Sequence, residues 1–389
     1  MATFAVISEF NPFHNGHKYL FDRARALGAD EIVCVMSGNA VQRGETAVLE
    51  KHARAKMALE CGADLVLELP YPWCASSAEA FASCGVRIAS EFADTLIFGS
   101  ECGDIEPLEE AAQICVDEKF ICEYKNSLKG NSGAAQRYFE MLFARTGREY
   151  FSNDILGIEY IKASKRQKNT LSFVTVKREG GSYASCEIAD GTLQSASAIR
   201  ALMRDGNLEL LERYMPSECV KILKNAFNFG EISFFENLEK AQKLYFRIID
   251  PKALDGIAEL DEGLAHRICQ AAHRCREESM LELLRTKRYT DARLRRSMLF
   301  ALTGVRTEDV KGEPVYTELL GSNEKGRRLI ASKRKDTTLA VLAKPADIPN
   351  TDKARRQFEL SSKLASVFAL SLEGALDTSS IIARSPIIT

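Results

Sequence analysis

The chain has 389 residues, 46% hydrophobic and 27% charged, with 52 basic and 54 acidic side chains and a net charge of −2. This length predicts two or three domains, and the composition suits a soluble globular protein with an ample core. A near-neutral balance excludes a strong overall basic field, so any nucleic-acid contact must come from local patches.

The N-terminus "MATFAVISEF" lacks a basic region ahead of a long apolar stretch, so no signal peptide is indicated. No run reaches the ~18 apolar residues that a bilayer-crossing helix needs. The eleven cysteines are scattered, with no CxxC pair and no Cys/His cluster at zinc spacing. They are expected to be reduced thiols packed in a core rather than a disulfide frame, which together predict a cytoplasmic protein with no membrane contact.

In chain order, nearly continuous runs of Val, Ile, Leu and Phe at 3–10, 31–38, 64–70, 95–100 and 171–178 read as buried parallel strands. Between them "GHKYLFDRARALG", "EKHARAKMALECG" and "SSAEAFASCGVRIASEF" read as helices. Strand and helix alternating in this way predict βαβ units with right-handed crossovers, and so a doubly wound α/β parallel sheet. The polar stretch 105–148 is expected to be a helical excursion before the last strand. From about Leu208 apolar residues recur at helical spacing with almost no β-branched runs, which predicts a mainly α-helical C-terminal domain with a small mixed segment after Val305. The expected division is 1–206 and 207–389.

Two of the five histidines lie in "EFNPFHNGH" at 9–17, where the first strand gives way to the first helix. In an open α/β sheet ligands bind outside the carboxyl ends of the strands, where strand order reverses. Gly16 permits close backbone approach, and the helix N-terminus offers free amides and a positive dipole to an anion. Imidazoles at i and i+3, His14 and His17, share one face of the first turn and can donate hydrogen bonds to phosphate oxygens. The alternatives are a helix cap with two solvent-exposed histidines, or a metal pair, for which no third ligand is evident nearby. "SASAIR" at 195–200 offers Ser195 and Ser197 at a helix start and Arg200 as a further phosphate ligand.

"SGNAVQRGE" leaves the second strand beside the histidines. Ser37, Gly38, Asn39, Gln42, Arg43 and Gly44 make it a candidate substrate loop rather than a plain polar connection, with Arg43 as the expected contact. Two basic stretches follow in the helical half. "RTKRYTDARLRR" carries Lys287, Arg288, Tyr289, Arg293, Arg295 and Arg296, and "KGRRLIASKRK" carries Arg327 and Arg328. Each reads either as a solvated helix face or as an RNA phosphate footprint, with Tyr289 able to stack on a base.

A histidine box after strand one and a Ser-rich, Arg-ending helix start further on form the pattern of nucleotidylyltransferases and class I tRNA synthetases. Here "EFNPFHNGH", "MSGNAVQRGE", "DLVLELP", "FGSE", "SNDILGIEYIKA" and "SASAIR" occur in one order, followed by "LLRTKRYTDARLRR" and "LLGSNEKGRRLI". Together they closely resemble the bacterial tRNA(Met) cytidine acetate ligase family over most of the chain. The resemblance implies a nucleotidylyltransferase-type catalytic domain followed by a helical tRNA-binding domain. It implies activation of acetate by ATP, with AMP and pyrophosphate as products, and acetylation of the wobble cytidine of elongator tRNA(Met) to N4-acetylcytidine. His14 and His17 would be the catalytic pair. The ATP-binding segment falls on Ile7, Ser8, Glu9, Phe10, Asn11, Pro12, Phe13, His14, Asn15, Gly16, His17, Lys18, Tyr19 and Leu20, joined by Gly99, Asn153 and Arg178. Mg²⁺ is expected to be held mainly by the phosphates, with no protein metal site and no obligate protein partner. The chain departs from the family loop at Ala40 and Thr46, where an aromatic residue and a proline are usual. Two other readings are a nucleotidylyltransferase acting on a small phosphorylated metabolite, which leaves the basic helical half unexplained, and a non-catalytic RNA-binding protein, which leaves the histidine box unexplained.

Overall fold

The computed structural model describes residues 1–127, 134–178, 193–276, 278–286, 288–374 and 377–389. The five apolar runs form strands β1 (Thr3–Ser8), β2 (Glu31–Ser37), β3 (Leu65–Leu69), β4 (Thr95–Ser100) and β5 (Ser172–Lys177). Residues of β1, β2 and β3 are almost all buried, because helices cover both faces of the sheet, so the runs read as continuous rather than alternating. β5 lies at an edge and is only half-buried.

The crossovers are α1 (Asn15–Ala26), α2 (Lys51–Glu60) and α3 (Ala78–Phe92). The excursion forms α4 (Ile105–Val116), α5 (Glu118–Ser127) and α6 (Ala134–Thr146), and α7 (Ser152–Gln167) leads into β5. Next come α8 (Ala196–Arg204), α9 (Ser217–Asn228), α10 (Glu239–Ile248), α11 (Glu262–Arg274), α12 (Met280–Leu284) and α13 (Asp291–Thr303). The last part holds α14 (Thr307–Lys311), β6 (Tyr316–Ser322), α15 (Glu324–Lys333), β7 (Ala340–Leu342), α16 (Asp352–Ser371), α17 (Thr378–Ile382) and β8 (Ile387–Ile388).

The sheet runs β5-β4-β1-β2-β3-β6-β7, with β8 also on β6. The first five strands are mutually parallel, and β1 and β2 align from Thr3↔Glu31 to Ser8↔Met36. Successive strands step one way from β1 through β3 and the other way from β4 to β5. The order therefore reverses between β1 and β4, and a crevice opens outside their carboxyl ends.

The mixed segment after Val305 proves to be part of this same sheet. β6 pairs antiparallel with β3, with Leu65 opposite Ser322 and Val66 opposite Gly321, so the sheet crosses the expected boundary at 206/207. Packing crosses it too. One face joins Ile7, Val33 and Leu67 with Phe81 and Ile158, and with Leu294 and Phe300 of the helical half. The opposite face joins Phe4, Val6, Ile32 and Cys34 with Phe21, Ala55 and Leu223. The described cysteines are all free thiols, buried except for Cys102 and Cys122. Among the described residues no helix is long and apolar enough to cross a membrane.

Candidate active site

β1 ends at Ser8, and the chain turns through Phe10 in the left-handed region at φ 43°. A bulky residue stays there only when its surroundings over-determine it, and Phe10 is fully buried with its ring 5.0 Å from Phe13 and 4.9 Å from His17. His14 is the N-cap of α1. Its Nδ1 accepts the Gly16 N–H at 3.0 Å, while the His17 Nδ1 accepts the His14 N–H at 3.2 Å. This is a capping box in which imidazoles replace the usual hydroxyl and carboxylate. Gly16 is required for it, since a Cβ there would lie 2.9 Å from His14 Cε1.

The box fixes the chemistry of both rings. An Nδ1 that accepts a backbone N–H leaves the hydrogen on Nε2, so each imidazole is a neutral Nε2–H donor. Burial, then Arg178 and Arg200, hold the His14 pKa down to about 3. Burial, His14 and Arg178 hold that of His17 well below the usual value. The rings lie 3.8 Å apart at 31°. The expected alternatives of cap and site are thus one structure, and the cap histidines are not solvent-exposed: His14 is buried.

The rings open into a cleft of about 1030 Å³, counted with its open mouth. It is lined by Ile7, Ser8, Glu9, Phe10, Asn11 and Leu20 from the β1–α1 turn, by Gln42 and Arg43 from the loop, and by Gly99, Asn153, Arg178, Ser197 and Arg200. Phe81, Phe98, Leu156 and Tyr160 add an apolar wall that sequence reasoning missed. Ser195 caps α8 by accepting the Ala198 N–H at 3.1 Å, and Arg200 donates to the Asn11 carbonyl at 2.9 Å and the Ser197 hydroxyl at 3.3 Å. Glu101, also missed, accepts from the Asn153 backbone N–H at 3.0 Å and its side-chain amide at 2.5 Å, which aims Asn153. Gly16, Tyr19 and Gln194 line an adjoining recess that shares His14, His17, Gly99 and Arg178. The other segment residues shape the turn without lining the cleft. Pro12 and Phe13 are buried, Asn15 donates to the Arg213 carbonyl at 3.1 Å, and Lys18 pairs with Asp22.

Residues 1–380 match the HIGH Nucleotidyl Transferase family. The chain is 37% identical over 372 residues to the tRNA(Met) cytidine acetate ligase of Acetivibrio thermocellus, covering 89% of each. It is 33% identical over 386 residues to that of Caldanaerobacter subterraneus, covering 95% of each. The chain belongs to the tRNA(Met) cytidine acetate ligase family. Its fold matches Thermotoga maritima TmcAL bound with alpha-thio ATP at a TM-score of 0.90 and 30% identity, over 100% of both chains. The apo form of that protein gives 0.92 at 31% identity, over 100% of this chain and 99% of the other.

The family loop is held by a residue with no sequence signature. Arg54, fully buried on α2, donates to the carbonyls of Leu49 (2.8 Å), Glu9 (2.7 Å) and Ser37 (3.0 Å), and to that of Gly38. It thereby ties the ends of β1 and β2 together. Asn39 accepts the Lys51 N–H at 2.8 Å, and the Gln42 N–H donates to Glu9 Oε1 at 2.9 Å. The two departures from the family pattern, Ala40 and Thr46, face each other across an antiparallel bridge. Both are buried and neither lines the cleft; the Thr46 hydroxyl instead accepts from Ser233 at 2.8 Å.

On its other side the loop presses on α13. Gly44 has φ 75°, and a Cβ there would come within 2.3 Å of the Arg296 backbone N. Arg296 donates to the Gln42 carbonyl at 3.3 Å and pairs with Glu259 at 2.8 Å, and Arg295 pairs with Glu45 at 3.0 Å. These two arginines are therefore not the solvated side chains an RNA footprint calls for: they dock the loop. Tyr289 is not poised to stack on a base either. It is buried, its hydroxyl reaches Asp261 at 3.2 Å, and the Arg288 and Arg293 guanidiniums lie 5.3 and 5.0 Å from its ring centre. Arg328 is exposed and pairs with Glu324, and Arg327 donates to the Ser322 carbonyl at 3.3 Å. Lys287 lies outside the described residues.

Proposed function

We propose that the chain is a tRNA(Met) cytidine acetate ligase. It activates acetate with ATP as acetyl-AMP, releasing pyrophosphate, and acetylates N4 of the wobble cytidine of elongator tRNA(Met). The observation that carries this reading is the pair of neutral Nε2–H imidazoles facing the cleft beside Arg178 and Arg200. When an acetate oxygen attacks the α-phosphorus, negative charge builds on the phosphate oxygens. Donors fixed beforehand in a partly desolvated site stabilise that charge without reorganising. The two imidazoles are fixed by their own helix cap, and Arg200 is fixed by the Asn11 carbonyl.

Ser8, Gly99, Asn153 and Ser197 would border the nucleotide. Mg²⁺ would come with the nucleotide and offset charge on the leaving pyrophosphate. In this reading residues 1–206 carry the chemistry and 207–389 the tRNA, with Lys287, Arg288, Arg293, Arg327 and Arg328 as phosphate contacts in the cytoplasm, where tRNA is met. The test is incubation with ATP, acetate and elongator tRNA(Met), followed by analysis of nucleotides and nucleosides. AMP and N4-acetylcytidine support the reading; ADP as the main product, or an unmodified nucleoside pool, overturns it.

A further inference from the structure

Amide formation requires a proton acceptor that the histidines cannot be. As the cytidine N4 bonds to the acetyl carbonyl carbon it must lose a hydrogen, since the product amide nitrogen bears only one. In His14 and His17 each Nδ1 already accepts a backbone N–H, each Nε2 already bears a hydrogen, and burial beside arginines opposes a second proton. Glu45, a second carboxylate on the cleft wall, is already engaged by the Arg295 guanidinium at 3.0 Å. The lining arginines are already protonated at working pH and cannot accept another proton.

Glu9 remains. It follows β1 directly and lines the same cleft as the imidazoles. Its Oε1 accepts the Gln42 N–H at 2.9 Å, its Oε2 makes no hydrogen bond among the described residues, and Arg54 fixes its carbonyl at 2.7 Å. The carboxylate is thus positioned through one oxygen and available through the other.

We propose that Glu9 is the general base of acetyl transfer. Its carboxylate takes a proton from N4 as the N–C bond forms. The bond between the carbonyl carbon and the phosphate oxygen breaks, and AMP leaves with that electron pair. Acetyl-AMP and cytidine give acetylcytidine, AMP and one proton, which Glu9 passes to solvent. The inference rests on the acetyl-transfer reading above. Around Glu9 stand Arg200 from α8, Arg43 and Glu45 from the loop, Arg54 from α2 and Cys74 from the turn after β3, with His14 and His17 across the cleft. Burial raises the Glu9 pKa more than the Gln42 amide, Arg200 and Arg43 lower it. The result is a carboxylate more basic than an ordinary glutamate, the direction that a base working near neutrality needs.

The test separates the half-reactions. Glu9→Gln keeps an acceptor for the Gln42 N–H but cannot take a proton. Acetate-dependent ATP–pyrophosphate exchange, and single-turnover transfer from preformed acetyl-AMP to tRNA, are measured across pH for both proteins. Transfer is expected to fall ~10²–10⁴-fold in the variant, well beyond any fall in exchange. The rise of wild-type transfer with pH, as the carboxyl ionises, should vanish in Glu9→Gln and return in Glu9→Asp. A loss of transfer no larger than the loss of exchange, or an unchanged pH profile, overturns the assignment. A wild type that yields no acetylcytidine at all overturns the ligase reading and this inference with it.

Discussion

His14 and His17 perform two tasks with one set of atoms. Their Nδ1 atoms cap α1, and the same bonds leave their Nε2–H groups as donors to the cleft. Replacing either with Ala is expected to lower acetate-dependent ATP–pyrophosphate exchange by ~10²–10³, the typical cost of one transition-state donor. A near-normal exchange rate would refute the role. His14→Ala should also cost ~1 kcal/mol of stability as a lost N-cap. The shifted titration has a sign that can be checked. Between its folded pKa of about 3 and its ordinary value of 6.5, His14 binds fewer protons folded than unfolded. Its contribution to stability is then complete above pH 6.5 and lost as pH falls, by ~1.4 kcal/mol per unit. Urea unfolding at pH 7 and pH 5 should show a loss that is smaller in His14→Ala; equal losses would place the titration elsewhere. The spacing of the two histidines was legible in the sequence, because a period of three puts them on one helix face. Their neutrality was not, because it depends first on burial in the folded cleft and then on cations far along the chain, Arg178 for both rings and Arg200 for His14.

The loop 37–46 and helix α13 form a seam, and the seam divides the basic residues into two kinds. Arg295 and Arg296 hold the loop through Glu45, Glu259 and the Gln42 carbonyl, whereas Arg288 and Arg293 flank Tyr289. Reversing Arg288 and Arg293 is expected to weaken tRNA binding and to flatten its salt dependence by ~0.7–0.9 in log–log slope for each phosphate no longer neutralised, with ATP affinity unchanged. Reversing Arg296 should instead impair acetyl-AMP formation, because it frees the loop that borders the cleft and leaves Glu259 without its cation. Titrations of tRNA at several salt concentrations, beside ATP binding and exchange assays, distinguish the two. Equal behaviour of all these arginines would dissolve the division. A run of basic residues is visible in any sequence. Which of them are spoken for is not, since the partner of Arg296 at Gln42 stands 254 positions away.

For the molecule as a whole, the five parallel strands were legible as near-continuous apolar runs, and the crevice followed from their order. β6 was not, because "YTELLGS" mixes polar and apolar residues and its partner strand lies far back in the chain. Buried charge marks that junction. Lys51 Nζ lies 2.8 Å from Glu68 and 2.6 Å from Glu318, joining α2, β3 and β6, and burial pushes the Glu68 carboxyl up to about 7 despite the lysine. Lys51→Met leaves two carboxylates facing each other without a cation and is expected to cost ~3–5 kcal/mol, read from urea unfolding. A change below about 1 kcal/mol, the range of solvent-exposed pairs, would mean that the cluster is solvated and slack.

The antiparallel pairing of β3 with β6 also bears on the order in which the chain can fold as it is made. A ribosome delivers β1 to β5 first, yet one flank of β3 keeps its row of N–H and C=O groups unpaired until residues 316–322 emerge. Phe300 and Leu294, which complete the core on one sheet face, also arrive late. The half of the protein translated first therefore waits, as an incomplete sheet, for the half translated last. Every residue that lines the cleft has been made once Arg200 emerges, but the loop that borders it gains the arginines that hold it only with residues 295 and 296.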